Sequence, residues 1–256
     1  MKIGIIGVGK MASAIIQGLK TTDHEVIISG SSLARSKEIA EQLEVAYAQS
    51  HQDLIDSVDL VILGIKPQMF EKVLAPLSID KPILSMAAGI TLERLASMSK
   101  QDLPLIRIMP NINAQILKSS TAICANEHVS DDLFTEAKAI VESFGTAFVI
   151  AEKDFDTFTA LAGSSPAYIY LFIEALAKAG VKYGLPKDQA LAIVAQTVMA
   201  SSQNLIEGSD TPHDLIDKIC SPGGTTIAGL LDLEKTGLTA SVISSIDATI
   251  EKAKQL

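Results

Sequence analysis

The sequence predicts an α/β protein in which an N-terminal, mainly parallel Rossmann-type sheet is followed by an all-helical domain. Short aliphatic runs alternate with amphipathic stretches up to about residue 150, which is typical of a parallel sheet covered by helices on both faces. A glycine-rich turn follows the first run, and beyond residue 154 only helix-type patterns remain. We therefore expect two domains, residues 1–151 and residues 152–256.

Aliphatic runs between turn-forming residues predict the strands of the first domain. They lie at residues 3–6, 26–28, 60–63, 83–84, 105–108, 122–124 and 148–150. Helix-start and helix-stop residues predict the helices of the second domain. Ser165 is expected as the first N-cap, with Pro166 at the first helical position and Gly184 closing that helix. Further helices are expected at residues 187–208 and 239–254. Between them, a short helix is expected to start at residue 211, and another is expected to end at about residue 235.

Charge and cysteine content exclude several classes of protein. Lys and Arg number 21 and Asp and Glu number 30, so the net charge of −9 argues against a nucleic-acid partner. The two cysteines, Cys124 and Cys220, imply no disulfide framework and favour the cytoplasm. A strand pattern from Lys2 leaves no room for a signal peptide. Two long uncharged runs contain polar residues or proline, so we expect no membrane span.

The turn Gly7-Val8-Gly9-Lys10-Met11-Ala12 follows the first predicted strand and opens an apolar helix. Glycines at this place allow a tight turn and let a pyrophosphate approach the helix N-terminus, where backbone N–H groups face it. The position at the start of a βαβ unit is the context that a dinucleotide site requires. The alternative is a glycine-rich turn without a ligand.

The end of the second predicted strand carries no carboxylate for the ribose hydroxyls of NAD. Ser31, Ser32 and Arg35 could instead accept a 2′-phosphate, so NADP is favoured over NAD, with NADH still possible. Helix capping and a solvated charge are the alternative explanation. Later strand ends should line the same groove, or form plain turns: Gly64, Ile65, Lys66, Pro67, Ala87, Ala88, Gly89 and, after Met109-Pro110, Asn111.

A second glycine turn, Ser221-Pro222-Gly223-Gly224-Thr225-Thr226, precedes a predicted helix in the second half. Free N–H groups at a helix start form a socket for an anion such as a carboxylate, and adjacent glycines let the ligand approach closely. The threonine hydroxyls can bond another polar atom of the same ligand. Capping would explain the threonines alone, but not the two glycines.

Residues that are missing also bear on the chemistry. Oxidation of an alcohol by a nicotinamide needs a base such as His or Lys. No Lys lies in the opening half of the helix that begins at Ser165, and no Ser-His-Asp order or metal-ligand cluster is apparent. A substrate with a protonated C=N bond needs no strong base, so imine reduction fits the sequence, and no metal is expected.

The chain resembles Δ1-pyrroline-5-carboxylate reductases over essentially its full length. The resemblance rests on Gly7-x-Gly9-x-Met11, Lys66-Pro67, Met109-Pro110-Asn111, Ala162-Gly163-Ser164-Ser165-Pro166-Ala167 and, most specifically, residues 221–226 with Ala228-Gly229-Leu230 and Leu233-Glu234 behind them. It implies reduction of 1-pyrroline-5-carboxylate to L-proline with NADPH or NADH. It also implies a homodimer formed by the helical domains, and in some members a pentamer of dimers.

The resemblance further implies roles for individual residues. The backbone around Gly223, Gly224 and Thr225 would hold the substrate carboxylate, and the catalytic Thr226 hydroxyl would bond the ring nitrogen. Ser164, Ser165 and Pro166 would wall the substrate pocket near the nicotinamide. Independently of it, the uncharged stretch 189–206 is hard to bury in a domain of about a hundred residues, but easy to bury between two copies.

Two other functions remain to be weighed. A β-hydroxyacid dehydrogenase of similar two-domain plan would need a basic Lys early in the first long helix, and residues 164–173 contain none. A catalytically silent NADP-binding regulator would keep the fold but would have little reason to keep the glycine turn at 221–226.

Overall fold

The computed structural model describes residues 1–99 and 102–254. In this part of the chain, eight strands form one sheet in the order β3-β2-β1-β4-β5-β6-β7-β8. All neighbouring strands are parallel except β6 and β7. The strands are β1 Lys2–Ile6, β2 Glu25–Ser29, β3 Ala46–Tyr47, β4 Leu60–Leu63, β5 Ile83–Ser85, β6 Leu105–Met109, β7 Ser119–Ala125 and β8 Gly145–Val149.

All seven predicted strands are present, and the Rossmann-type sheet is confirmed. The additional strand β3 was missed because its two residues, Ala46 and Tyr47, are both exposed and form no aliphatic run. Helices cover the sheet: α1 Lys10–Leu19, α2 Leu33–Leu43, α3 His51–Ser57, α4 Phe70–Leu74, α5 Leu92–Ser99, α6 Asp131–Glu142 and α7 Phe155–Phe158.

Alternating residues of the strands build two separate cores. In β4, Leu60 and Ile62 belong to one hydrophobic cluster, whereas Val61 and Leu63 belong to the other. Because successive side chains of a strand point to opposite faces, the sheet is buried on both faces. This explains why its strands appear in the sequence as continuous aliphatic runs.

The chain packs into two compact units. Among the described residues, unit 1 comprises those up to Gly163 together with Ala253 and Lys254, and unit 2 comprises Ser164–Lys252. Unit 2 is wholly helical in its regular structure: α8 Ser165–Lys182, α9 Lys187–Glu207, α10 Pro212–Ile219, α11 Thr225–Lys235 and α12 Leu238–Ala253, the last extending one residue into unit 1.

Unit 2 has very few buried side chains. Among its described hydrophobic residues only Ala177 and Ala190 are buried. Leu171 is 71% exposed and Ile206 is 81% exposed. Apolar surface on this scale is unusual for a monomer and is typical of a protein–protein interface.

The start of α8 differs from the prediction. Ser164, not Ser165, is the N-cap, and Pro166 is the second helical residue. The N-cap has an αR backbone and makes no side-chain capping bond, because a π-helical turn, Thr159–Ser164, runs directly into α8. The N-cap prediction failed since the sequence shows no sign of this wide turn.

By length and composition alone, one helical stretch of the described residues, Glu152–Lys182, could cross a membrane. Only 11% of its most apolar window is buried. The stretch is not one regular helix, because it joins a 3₁₀ turn, α7, the π-helical turn and α8. Length and composition are weak evidence for a span, since helices of soluble proteins can meet the same criteria.

Candidate functional site

The glycine turn after β1 has the backbone geometry of a dinucleotide-binding loop. Gly7 has φ of +84°, a conformation that favours glycine, and its N–H donates to the carbonyl oxygen of Ser29 over 2.9 Å. Gly9 is the N-cap of α1 and receives no side-chain cap. A Cβ added to Gly9 would meet nothing within 4 Å. The helix start is therefore open to a phosphate group.

Gly64 at the end of β4 packs directly against this turn. A Cβ added to Gly64 would overlap the carbonyl oxygen of Gly7. The Gly64 N–H donates to the carbonyl oxygen of Ile6 over 2.9 Å, so the two strand ends are held together. Glycine at position 64 is therefore required by close packing of the loop on which the cofactor prediction rests.

The segment after β2 fits both interpretations of Ser31, Ser32 and Arg35, namely helix capping with a surface charge and binding of a 2′-phosphate. The Ser32 hydroxyl caps α2 by accepting from the Arg35 N–H over 3.2 Å, and the Arg35 guanidinium pairs with Glu38 over 2.7 Å. Ser31, Ser32 and Arg35 are nevertheless all exposed. Capping and a surface ion pair thus exist, and the same three side chains stay accessible to a 2′-phosphate.

A cavity of about 550 Å³ lies beside these residues. Its lining includes Val8, Gly9 and Lys10 from the first turn and Arg35 from α2. The other predicted residues lie at the carboxyl ends of β4, β5 and β6. Ile65 is half-buried, Lys66 is exposed, and Pro67 begins a 3₁₀ turn. Ala87 is buried, Ala88 and Gly89 are exposed, and Asn111 is buried.

His51 is a residue that the sequence patterns did not assign to the site. It is the first residue of α3, and its Nδ1 lies 2.7 Å from the Ser29 hydroxyl at the end of β2. Burial lowers the pKa of His51 below its ordinary value, which favours the neutral ring. A lone His in a loop-like segment gives no sequence signal for such a contact.

Arg107 in β6 forms a partly buried ion pair that was also missed. It is 4% exposed, and its guanidinium donates to Glu152 over 2.8 Å and lies 4.4 Å from the ring centre of Phe155. Glu152 also accepts from the Leu92 N–H over 2.8 Å. Burial, with a smaller contribution from Glu152, raises the pKa of the nearby Cys124 to about 12, so this thiol is not a nucleophile.

The second glycine turn, in unit 2, joins α10 to α11. Gly223 has φ of +69°, and Gly224 is the N-cap of α11 without a side-chain cap. A Cβ added to Gly224 would lie 2.5 Å from the Ser221 hydroxyl oxygen. The positive φ therefore favours glycine at position 223, and Ser221 leaves little room for a side chain at position 224. The first N–H groups of α11 are left without side-chain acceptors in the described residues.

Thr225 and Thr226 are the first two residues of α11, and both are exposed. Ser164, Ser165 and Pro166 lie at the start of α8, where Ser164 and Ser165 are half-buried. An uncapped helix start beside threonine hydroxyls can bind a carboxylate and a second polar atom. The geometry thus agrees with the predicted anion socket, while its ligand remains a prediction.

A Rossmann-type sheet with an open glycine turn, followed by a helical unit, is typical of nicotinamide-dependent oxidoreductases. Residues 2–89 match the family described as NADP oxidoreductase coenzyme F420-dependent, and residues 152–256 match the family described as pyrroline-5-carboxylate reductase dimerisation. The chain belongs to the pyrroline-5-carboxylate reductase family.

Full-length relatives support this assignment. Pyrroline-5-carboxylate reductase of Aquifex aeolicus is 38% identical, with 100% of this chain and 97% of that protein covered. The crystal structure of 1-pyrroline-5-carboxylate reductase from Streptococcus pyogenes is 71% identical, with a TM-score of 0.93 and coverage of 100% and 99%. The Plasmodium falciparum pyrroline carboxylate reductase with NADP bound is 30% identical, with a TM-score of 0.87 and coverage of 100% and 97%.

Proposed function

We infer that this protein reduces 1-pyrroline-5-carboxylate to L-proline, with hydride transfer from NAD(P)H to the C=N carbon. Membership of the family carries this conclusion, because relatives cover the chain from end to end at up to 71% identity. The two open glycine turns provide the anion sites that a dinucleotide and a substrate carboxylate need. The protein is an NADP-type oxidoreductase of proline biosynthesis.

The cofactor end is assigned to residues of unit 1. Gly7, Val8, Gly9, Lys10 and Met11 would surround the pyrophosphate, since the helix start at Gly9 has open space where a side chain would otherwise lie. Ser31, Ser32 and Arg35 would accept the 2′-phosphate and favour NADPH over NADH. The remaining strand ends would line the groove: Gly64, Ile65, Lys66, Pro67, Ala87, Ala88, Gly89 and Asn111. The bound nicotinamide supplies the hydride.

The substrate end is assigned to residues of unit 2. The backbone around Gly223, Gly224 and Thr225 would hold the carboxylate, with the first N–H group of α11, at Thr225, as a donor and Gly223 allowing its approach. The Thr226 hydroxyl would bond the ring nitrogen and hold its proton. Ser164, Ser165 and Pro166 would wall the substrate. Orientation of the imine carbon would supply most of the rate acceleration, since the protonated C=N bond is already electrophilic.

The apolar surface of unit 2 supports a homo-oligomer, in agreement with the match to a dimerisation family. We propose a homodimer as its basic form, with a pentamer of dimers as the larger assembly. A second copy, not a lipid bilayer, would then cover α8 and α9, and the protein would be cytoplasmic. We further propose that the helical substrate-binding and dimerisation domain begins at residue 152 and that residues 1–151 form the dinucleotide-binding domain.

Nicotinamide absorbance, followed with 1-pyrroline-5-carboxylate and either NADPH or NADH, tests this function. We expect turnover with both cofactors and a higher kcat/KM with NADPH. Binding of NADPH without turnover of the imine would contradict the proposal and favour the silent regulator.

A further inference from the structure

The Asn111 side chain uses its two polar ends for two separate tasks. Its Oδ1 accepts from the Asn113 N–H over 3.1 Å and caps the 3₁₀ turn Ile112–Ile116. Its Nδ2 donates to the carbonyl oxygen of Ala162 over 2.9 Å. Asn111 is only 5% exposed. These internal bonds occupy both ends of the side chain, so another role than a direct side-chain contact with the cofactor has to be considered.

Ala162 has a particular need for a donor from outside its helix. It lies in the π-helical turn Thr159–Ser164, four residues before Pro166. In a regular α-helix the N–H of residue i+4 bonds the carbonyl of residue i, but proline has no N–H. The Asn111 amide therefore supplies a hydrogen bond that Pro166 cannot. A π-helical turn of this kind is frequent at functional sites.

A buried polar network holds the backbone of Asn111 in place. The Asn111 N–H donates to the Ser119 hydroxyl over 3.0 Å, and the hydroxyls of Ser119 and Thr121 lie 2.8 Å apart. Ser119 is 1% exposed and Thr121 is 0% exposed. Buried polar groups that are all hydrogen-bonded specify one arrangement, because leaving any member unpaired is costly.

The segment that leads to the π-helical turn is also attached to β6. Arg107 in the middle of that strand pairs with Glu152 and stacks on Phe155, whereas Asn111 follows the end of the strand. The segment 152–162 is thus fixed at its start and at its end. Ser164 and Ser165 follow the second attachment, with only Gly163 between.

We propose that Asn111 is a positioning residue of the reaction, which fixes Ser164 and Ser165 for the substrate through its hydrogen bond to Ala162. The proposal rests on the proposed function, since it takes Ser164–Pro166 to be a wall of the pyrroline-5-carboxylate site. It places the role of the Asn111 side chain in substrate geometry instead of in cofactor affinity.

Two substitutions separate the two tasks of the side chain. Asn111→Asp keeps an oxygen for the Asn113 cap but places an acceptor opposite the Ala162 carbonyl. Asn111→Ser also keeps a capping oxygen, and it removes the amide donor without adding a charge. Asn113→Asp is the matched control, because it makes the same chemical change two residues away at a half-buried position.

Steady-state kinetics with 1-pyrroline-5-carboxylate and titration of NADPH decide the question. We expect kcat/KM for the imine to fall about 10- to 100-fold in both Asn111 variants, as for a misplaced reacting group. A raised KM for the imine should contribute to this fall, while the Kd of NADPH stays unchanged. Asn113→Asp should match the wild type in both.

Three results would overturn the proposal: unchanged kinetics in both Asn111 variants, an unchanged KM for the imine, or a loss confined to NADPH affinity. The last would make Asn111 a cofactor contact. The KM does not depend on the folded fraction, so it remains decisive where a variant is less stable. Wild-type protein in the same assay distinguishes failure of the Asn111 proposal from failure of the proposed function, because an inactive wild type would contradict the proposed function itself.

Discussion

The two units of this chain differ most in how much of their apolar surface they bury. Unit 1 buries two large clusters on opposite faces of its sheet and a third, smaller cluster around Phe155. Unit 2 consists of helices α8–α12, yet buries only Ala177 and Ala190 among its described hydrophobic residues. A domain gains most of its stability from apolar burial, so we expect unit 2 to be stabilised by an interface that covers this surface.

The difference shows which properties belong to one chain and which belong to the assembly. The turn at Gly7–Gly9, which we propose as the cofactor site, lies in a unit with its own hydrophobic core. The turn at residues 221–226, which we propose as the substrate site, lies in unit 2, whose exposed apolar surface supports a homo-oligomer. Cofactor binding and turnover should therefore respond differently to loss of the oligomer.

The largest effect is expected from a charge in the apolar surface of unit 2. Leu171→Glu should dissociate the dimer, because burial of each Leu contributes about 2 kcal/mol and two copies contribute about 4 kcal/mol, roughly a thousandfold in Kd. A buried carboxylate would add to this loss. Sedimentation velocity over a range of concentrations measures the change.

Val149→Glu is the control in unit 1, where the side chain is 58% exposed in the edge strand β8. It should leave the sedimentation coefficient unchanged. Dissociation by Val149→Glu, or a fully dimeric Leu171→Glu variant, would contradict the division between the units.

The next effect concerns the substrate turn. Thr226→Ala should lower kcat/KM for 1-pyrroline-5-carboxylate by about 1–3 kcal/mol of transition-state stabilisation, as expected for one lost hydrogen bond to a charged group. Thr236→Ala, at the other end of α11, removes a hydroxyl that bonds only the helix backbone, at Asp232 and Leu233. It should stay close to wild type, and full activity of Thr226→Ala would remove Thr226 from the mechanism.

A smaller effect is expected at the exposed end of the cofactor groove. Arg35→Ala should raise the KM for NADPH about tenfold, corresponding to about 1.4 kcal/mol, and leave the KM for NADH unchanged. The expected loss of binding free energy is at the lower end for a charged contact, because the ion pair with Glu38 already neutralises part of the Arg35 charge. Equal changes for both cofactors would show that Arg35 supports the fold of α2 and not the 2′-phosphate.

The smallest effect is on the pH dependence of stability. Burial lowers the pKa of His51, so the unfolded chain binds this proton more readily than the folded chain. The contribution of His51 to the free energy of unfolding is complete above the unfolded pKa of about 6.5. It is lost as the pH falls towards the folded pKa, by at most about 1.4 kcal/mol per pH unit. Urea unfolding gives the free energy of unfolding of wild type and His51→Asn at pH 7.5 and pH 5.5. The difference between the two proteins should be larger at pH 7.5, and equal differences at both pH values would exclude a role of His51 in the pH dependence of stability.

The sequence predicted unit 1 closely because its signals are local and repeated. Aliphatic runs in β1, β4 and β6 are long enough to stand out, and the turn at Gly7 needs a backbone that only glycine adopts readily. The two-residue strand β3 has neither feature and was missed. Its pairing with β2 depends on the sheet and not on its own residues.

Side-chain contacts between distant residues could not be predicted in the same way. Arg107 and Glu152 are 45 positions apart, and Asn111 and Ala162 are 51 positions apart. No local pattern marks either pair. The π-helical turn likewise has no local signal in the sequence, which explains why the N-cap was predicted one residue too late. The pyrroline-5-carboxylate function was predicted from a family motif, and an interface in the helical domain was predicted from the uncharged stretch 189–206. The exposed side chains outside that stretch, such as Leu171, were not predicted.

The most direct test of the division between the units is to measure NADPH affinity and turnover of 1-pyrroline-5-carboxylate side by side in Leu171→Glu. A unit 1 that is complete in itself predicts a Kd for NADPH equal to that of wild type, together with loss of turnover under conditions where the variant is monomeric. A monomer that still reduces the imine at the wild-type rate, or one that no longer binds NADPH, would contradict it.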